Sequence, residues 1–410
     1  MSVFDAVRGW TSTQKHVVAA SYLGWTLDAF DFLLITLVAK DIATEFGTNA
    51  KALGLIITLT LYMRPLGAFI FGRLADRFGR RPVLMFDVAL YSVLAFASAF
   101  APNLTVFLIL RCLFGVAMGG EWGIGASLAM EHVKPQSRGF VSGLLQTGYP
   151  TGGLIAGVVT AFLLPEFGWR VCVMASVIPS LLVLYIRRHV PESPTFEETR
   201  APKDNTFAVI RSHWGIALFA VLLMTGFNTL SHGSQDFYPN FLRIQIGLPP
   251  ALASIISSVG SFGAILGGLT FGMLSQSIGR RRAIMIAATL VLPMIYFWVF
   301  LSINPMVLAA MAFVLQFFVQ GAWGVVPAHL NELSPHDARG TFPGFVYQLG
   351  NLVAANIVLI QGMLIEDHGW SYAEALALMT GAAATLIALI ISFGPEARHV
   401  VMGAPKPAPE

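Results

Sequence analysis

The sequence predicts an all-α membrane protein with twelve transmembrane helices in two pseudo-symmetric six-helix bundles. Three observations predict it: an apolar composition, twelve apolar runs of membrane-spanning length, and an internal repeat at an offset of about 200 residues. Of the 410 residues, 56 % are hydrophobic and 11 % charged, whereas soluble domains carry roughly 25 % charged and 45–50 % apolar residues. That composition excludes a soluble globular domain, a disordered chain and a nucleic-acid-binding protein, and the formal charge of +3 calls for a membrane explanation first. Cys112 and Cys172 stand in apolar runs as small buried hydrophobes and offer neither a disulfide framework nor a metal-ligand spacing.

Crossing ~30 Å of hydrocarbon takes about 20 apolar residues. Runs of that length fall at 16–44, 51–74, 82–101, 104–132, 138–165, 169–189, 214–243, 249–276, 281–302, 305–332, 338–365 and 370–393, helices one to twelve. Met1 to Lys15 is short and polar, and the run after it holds Asp28 and Asp31 without a small-residue cleavage site, so no signal peptide is expected. The longest polar stretch, His189 to His213, reads as a loop. The expected organisation is an N-terminal six-helix bundle (1–189), a cytoplasmic linker (190–213), a C-terminal six-helix bundle (214–395) and a cytoplasmic tail (396–410). With both termini in the cytoplasm, nineteen of the 25 Lys and Arg fall on that side and four on the other, leaving Arg64 and Arg111 within helices. The positive-inside rule favours that orientation, and the tight loops and short tails favour a bacterial cytoplasmic membrane.

The repeat is read from five matches at nearly the same spacing. Gly72-Arg-Leu-Ala-Asp76-Arg77-Phe-Gly79-Arg80-Arg81 aligns with Gly272-Met-Leu-Ser-Gln276-Ser-Ile-Gly279-Arg280-Arg281 at an offset of 200. Glu131, Arg138-Gly139 and Gly168-Trp169 recur as Glu332, Arg339-Gly340 and Gly369-Trp370 at 201, and Pro191-Glu192 returns as Pro395-Glu396. A duplicated six-helix unit places a binding site between the halves near the midplane, with helices one and seven equivalent.

The loop Gly72-x-Leu-Ala-Asp76-Arg77-x-Gly79-Arg80-Arg81 resembles the helix 2–3 signature of the major facilitator superfamily, and Pro191-Glu192-Ser193-Pro194 resembles its motif after helix six. The resemblance spans the chain and implies the major facilitator fold. Its second copy departs at Gln276, where the first has Asp76. Glycines permit a tight turn there, and Asp76, Arg77 and Arg80 are expected to pair across helix ends as a gate that latches one conformation.

Ionisable groups at helix centres cost at least ~2.5–3.5 kcal/mol each and usually face a cavity. The candidates are Asp28 and Asp31 on helix one, Arg64 on helix two, Arg111 and Glu121 on helix four, His232 and Asp236 on helix seven, and His329 at the inner end of helix ten. Asp28 and Asp31 share a helical face, and so do Asn228, His232, Gln235 and Asp236. Under the offset Asp28 falls on Asn228 and Asp31 on Ser231, so two polar clusters meet at equivalent positions.

A carboxylate substrate needs a fixed cation, and a planar guanidinium meets it with two hydrogen bonds. Arg64, closer to the midplane, is the first choice as anchor; Arg111 is the alternative, or pairs with an acid. His232 and Asp236, one turn apart, can exchange a proton, and a monovalent anion moving with one proton carries no net charge.

The stretch Asn228-Thr-Leu-Ser231-His232-Gly-Ser234-Gln235-Asp236-Phe-Tyr-Pro239-Asn240 closely resembles the helix-seven signature of fungal lactate and pyruvate permeases in the sialate:proton symporter family, with Asn240 where the signature ends in Thr. Gly119-Gly120-Glu121-Trp122-Gly123 resembles the wider carboxylate and sialate symporter group. The resemblance implies proton-coupled uptake of a small monocarboxylate such as lactate or pyruvate by alternating access. The alternatives are a larger acid (sialate, shikimate or an aromatic acid), an exporter, or a non-transporting sensor, against which the lack of a signalling domain argues.

The expected substrate contacts are Arg64, Asn228, Ser231, Gln235, Arg111 and Gln361, and the expected proton-coupling groups are His232, Asp236, Asp28, Asp31 and Glu121. Helix eleven, with Gln348, Asn351, Asn356 and Gln361, is polar enough to line the cavity. Gly148-Tyr149-Pro150-Thr-Gly152-Gly153 is read as a packing and kink element, and His329 as a helix-end residue. No enzyme chemistry, cofactor, metal or nucleic acid is expected. The expected partners are the carboxylate, protons and the lipid bilayer, with the chain a monomer.

Overall fold

The computed structural model describes residues 6–48, 50–198, 206–301, 303–398, 400 and 402. Of the expected linker, 199–205 with Arg200 and Lys203 lie outside the described residues, as does most of the expected tail with Lys406. Among the described residues the chain is helical and contains no strand.

Helix one, Ser12–Leu37, starts at a reciprocal cap in which Thr11 Oγ1 accepts the Gln14 N–H and Gln14 Oε1 accepts the Thr11 N–H. Helices two, three and four are Ala50–Phe78, Arg80–Ser98 and Leu104–His132; helices seven, eight, nine and twelve are Trp214–Gln235, Pro250–Ile278, Arg280–Val299 and Tyr372–Phe393. Several expected runs are interrupted. Helix five consists of Arg138–Gln146 followed by Gly148–Met174, which Gly168 (φ 74°) turns back so that 169–174 already belongs to helix six. Helix six continues through a tight turn at Ala175–Val177 into Ser180–His189. Helix ten breaks between Pro305–Trp323 and Val326–Leu333, and helix eleven between Phe342–Ala354 and Ile357–Glu366. Helix seven stops at Gln235 rather than near 243: Pro239 cannot donate back to the Gln235 carbonyl, and short turns at Tyr238–Asn240 and Phe241–Gln245 follow. Ten stretches of the described residues are long and apolar enough to cross a membrane; one of them, Pro135–His189, holds helices five and six, and with Ala50–Phe78 the expected twelve spans are present.

Large apolar side chains cover the outside of the bundle, among them Phe162, 75 % exposed, and Met306, 82 % exposed. A surface of that kind suits hydrocarbon, and the chain is an integral multi-pass membrane protein. The repeat is visible in the packing. A Cβ on Gly72 of helix two would lie 2.6 Å from Thr341 Cα, and one on Gly272 of helix eight would lie 2.6 Å from the Gly139 carbonyl oxygen and 2.8 Å from Gly143 Cα on helix five. Glycine at both positions lets helices two and eleven, and equivalently eight and five, meet backbone to backbone across the two halves.

Both meetings lie at the end of the molecule that carries the arginine-rich loops. There Ser127 Oγ donates to Asn331 Oδ1 at 2.9 Å, the Ala328 N–H donates to Ser142 Oγ at 3.0 Å, and Arg138 stands 3.8 Å from Glu332. The halves are therefore closed against each other at this end. The space between them lies beyond the closure and reaches Tyr238, Pro239 and Trp298, where helices seven and nine end.

Candidate functional site

Two connected chambers occupy the space between the halves. The inner one, about 80 Å³, is bordered by Arg64, Asn228, Ser231, His232, Gln235 and Asp236, with Trp25, Phe32, Tyr149, Trp323 and Tyr347 as aromatic walls. The outer one, about 360 Å³, shares Tyr149, Gln235, Asp236 and Gln320 with it and adds Ser257, Ser258, Ser261 and Gln316.

Arg64 sits just before Pro65 in helix two, and a proline there frees the Leu61 carbonyl from its helical bond, so the wall carries backbone polarity as well. The guanidinium is 3 % exposed and lies 5.0 Å from the centroid of the Phe32 ring, with Nη2 against the Met118 sulfur. None of the ion pairs among the described residues includes Arg64, and its Nε–H has no hydrogen-bond partner there. A buried guanidinium with no carboxylate within 4 Å is costly, and an anionic ligand offsets that cost.

Opposite it, the last turn of helix seven presents the polar stripe. His232 Nδ1 and Asp236 Oδ2 are 2.9 Å apart, one turn along the helix, and both side chains remain partly accessible from the cavity. Ser231 Oγ accepts the Trp323 indole N–H at 2.7 Å, Asn228 donates to the Met224 carbonyl at 2.8 Å, and Gln235 donates to Gln316 Oε1 at 3.0 Å. The walls are braced in turn: Trp122 donates to Gln146 Oε1 at 3.0 Å and packs 4.6 Å from Tyr347, centroid to centroid. The breaks at Thr147 and Trp323 and the end of helix seven all border the cavity, so interrupted helix ends surround the space, as in carriers built from repeats.

Other expected site residues lie elsewhere. Arg111 does not reach either chamber: Ser98 Oγ accepts from its Nε and Nη2 at 3.2 and 2.7 Å, and Phe114 covers its guanidinium at 4.4 Å. Gln361 is fully buried and ties helix eleven to helix seven by donating to the Gly233 carbonyl at 2.9 Å. Of the other helix-eleven amides, Asn351 borders the inner chamber, while Asn356 accepts from Tyr62 at 3.1 Å. His329 is fully buried away from both chambers.

Asp28, Asp31 and Glu121 form a separate group inside the N-terminal half, all buried and none bordering a chamber. The carboxylate oxygens of Asp28 and Glu121 have no hydrogen-bond partner among the described residues, and Glu121 Oε1 rests where a Cβ on Gly24 would stand 2.3 Å away. Asp87 on helix three belongs to this group and escaped the sequence reading, although a lone acid in the run 82–101 was a usable signal. Also missed were Ser257, Ser258 and Ser261, whose spacing puts them on one face of helix eight.

At the arginine-rich end, Asp76 accepts from the Gly340 N–H at 2.8 Å, the Thr341 N–H at 3.1 Å and Thr341 Oγ1 at 2.6 Å, all across the two halves. Arg80 holds Asp76 at 3.3 Å and Glu131 at 3.2 Å. Arg77 takes no part in this network; it is exposed, with its guanidinium over the Phe78 ring at 5.3 Å. In the second copy Gln276 Oε1 accepts the Gly139 N–H at 3.3 Å, and Arg280 holds Glu332 at 3.0 Å.

The sequence profile described as Major Facilitator Superfamily matches residues 17–235 and again 221–404. The chain is 28 % identical to the "Probable 4-methylmuconolactone transporter" of Cupriavidus pinatubonensis over 98 % of this chain and 95 % of that one. It is also 28 % identical to the "Carboxylic acid transporter protein homolog" of Saccharomyces cerevisiae, over 94 % of this chain and 68 % of that one. Among solved structures, the proton:xylose symporter XylE bound to 6-bromo-6-deoxy-D-glucose superposes with a TM-score of 0.77 at 18 % identity, covering 94 % of this chain and 96 % of that one, which is a likeness of fold.

Proposed function

The chain belongs to the Major Facilitator Superfamily, a family of membrane carriers and not of enzymes, and from that membership we propose that it takes up an organic monocarboxylate together with a proton by alternating access of its halves. The observation that carries this reading is Arg64, a buried guanidinium with no carboxylate within 4 Å and the sole fixed cation bordering either chamber among the described residues. One such cation balances one carboxylate. A second carboxylate reaching the outer chamber would meet Asp236 and neutral serines and glutamines, so dicarboxylates are poorly served.

Within monocarboxylates, lactate and pyruvate are small acids that the inner chamber beside Arg64 suits. The aromatic walls and the adjoining 360 Å³ chamber favour a second reading, a larger planar or cyclic acid whose ring lies against Trp25, Tyr149 and Tyr347. Relatives named for 4-methylmuconolactone and for carboxylic acids support the wider class.

The proton is assigned to His232 and Asp236, which lie on the cavity wall and within hydrogen-bond reach of each other. Asp28, Asp31 and Glu121 are proposed as further coupling groups inside the N-terminal half. The termini and the arginine-rich end face the cytoplasm of a bacterial inner membrane, and the carrier works as a monomer.

Counterflow of labelled lactate, benzoate and a dicarboxylate in proteoliposomes, with and without an imposed pH gradient, tests the proposal. Gradient-driven accumulation of monocarboxylates alone is the expected result. Accumulation of a dicarboxylate, or none that responds to the gradient, would overturn it.

A further inference from the structure

The arginine-rich end carries a second concave feature, outside the transport cavity. A groove of about 690 Å³ runs between the start of helix three and the end of helix six, with Met85, Phe86 and Val183 along it and Arg81 and Arg187 on its lining. Phe86 is 59 % exposed, so the groove opens on the apolar outer surface. Arg81 Nη2 donates to the Arg187 carbonyl at 2.6 Å, which brings the two basic residues together, while the Arg81 Nε–H has no partner among the described residues. Glu192 also borders the groove, but its carboxylate already accepts the Arg80 N–H at 2.9 Å and the Arg81 N–H at 3.3 Å. The groove therefore pairs an apolar channel facing hydrocarbon with a cationic end at the depth of the headgroups.

The equivalent place in the other half is different. Arg281 donates its Nε–H to the Ile391 carbonyl at 3.1 Å and its Nη2 to the Ser392 carbonyl, so its guanidinium is occupied by the end of helix twelve. Helix twelve ends Ile391-Ser392-Phe393 where helix six ends Arg187-Arg188-His189. The last turn of helix six thus adds basic residues beside the groove that the last turn of helix twelve lacks.

We propose that this groove binds one anionic phospholipid from the surrounding leaflet, its phosphate held by Arg81 and Arg187 and an acyl chain lying along Met85, Phe86 and Val183. Basic pockets between transmembrane helices take acidic headgroups in this way, because the guanidinium meets the phosphate where water is scarce. The choice of a lipid over free phosphate follows from the apolar channel, which a soluble ion would leave empty.

The test uses the intact chain in phosphatidylcholine nanodiscs with a small fraction of phosphatidylglycerol bearing a photoactivatable acyl chain, and maps the cross-linked peptides by mass spectrometry. Labelling is expected within 82–89 and around Val183, undiminished by millimolar inorganic phosphate. Arg187→Gln is expected to lower it about fivefold, equivalent to about 1 kcal/mol for one arginine at a membrane surface, whereas Arg282→Gln in the other half leaves it unchanged. Ala89→Trp, which narrows the channel without touching the charges, is expected to lower it as well. Equal labelling by a photoactivatable phosphatidylcholine, insensitivity to both groove variants, or displacement by inorganic phosphate would overturn the proposal.

Discussion

The two copies of the loop between the second and third helix of each half join the same end of the molecule with unequal chemistry. In the first, the Asp76 carboxylate accepts three hydrogen bonds from Gly340 and Thr341 and is itself held by Arg80. In the second, the neutral Gln276 accepts one cross-half bond, from Gly139 at the longer distance of 3.3 Å. Both sit where glycine lets the helices touch, so the backbone geometry is duplicated while the charge is not. A charge-assisted bond is roughly twice as strong as a neutral one. Of the two loop copies, the Asp76 one therefore makes the stronger polar contact across the halves. The same division runs through the interior: the N-terminal half holds the cation Arg64 and a set of buried acids, and the C-terminal half holds the His232–Asp236 pair.

If the halves divide the work in this way, variants in each should fail differently. The largest effect is expected for Arg64→Gln, which removes the cation facing the carboxylate: apparent affinity should fall by over about 100-fold, or about 3 kcal/mol, measured by substrate-induced thermal shift and by counterflow. Unchanged affinity would transfer the anchor to the C-terminal half. Asp236→Asn is next. It should abolish accumulation driven by a pH gradient while exchange of labelled substrate persists, and normal accumulation would remove the helix-seven pair from coupling.

The latch comparison is tested most directly by Asp76→Asn, which is expected to shift the closed population by about 2 kcal/mol, roughly 30-fold, toward opening at the arginine-rich end. Cysteine accessibility or spin-label distances across that end read the shift. Gln276→Glu should act in the opposite sense and more weakly, by about 1 kcal/mol, because Arg280 is already engaged by Glu332. Equal and opposite responses would show the two copies to be equivalent after all.

The smallest effect is expected at the far end, where Glu45 is held below the usual carboxylate range by the Arg170 guanidinium 2.6 Å away and by the Trp169 N–H. A lowered folded-state value means that this contribution is present above the ordinary carboxylate range and is lost as pH falls through the lowered one. Both side chains are partly exposed, so Glu45→Gln should cost under ~1 kcal/mol in a thermal melt at neutral pH.

The helix-seven stripe and Arg64 were legible in the sequence because a membrane span penalises every charge that has no task. The same logic ranked Arg111 and Gln361 beside them. Both are polar groups in apolar runs, yet the Arg111 guanidinium donates to Ser98 beside an aromatic ring and the Gln361 amide N–H donates to the Gly233 carbonyl. Sequence spacing cannot tell a cavity-facing group from one satisfied by a neighbouring helix, since it gives positions on one helix and not what stands opposite. Asp87 and the serines of helix eight show the converse: ordinary residues in apolar runs became notable through what they face.

Composition and hydrophobic run length alone determine that the chain crosses a membrane twelve times, and the register of the repeat determines that it does so as two related halves, because hydrocarbon leaves backbone polar groups no partner except those within a helix. Which charges border the cavity, where helices five, ten and eleven break, and which end is closed depend on the azimuth of each helix. That azimuth is set by contacts between distant segments, such as Gly72 against Thr341 and Gly272 against Gly139, which no local pattern contains.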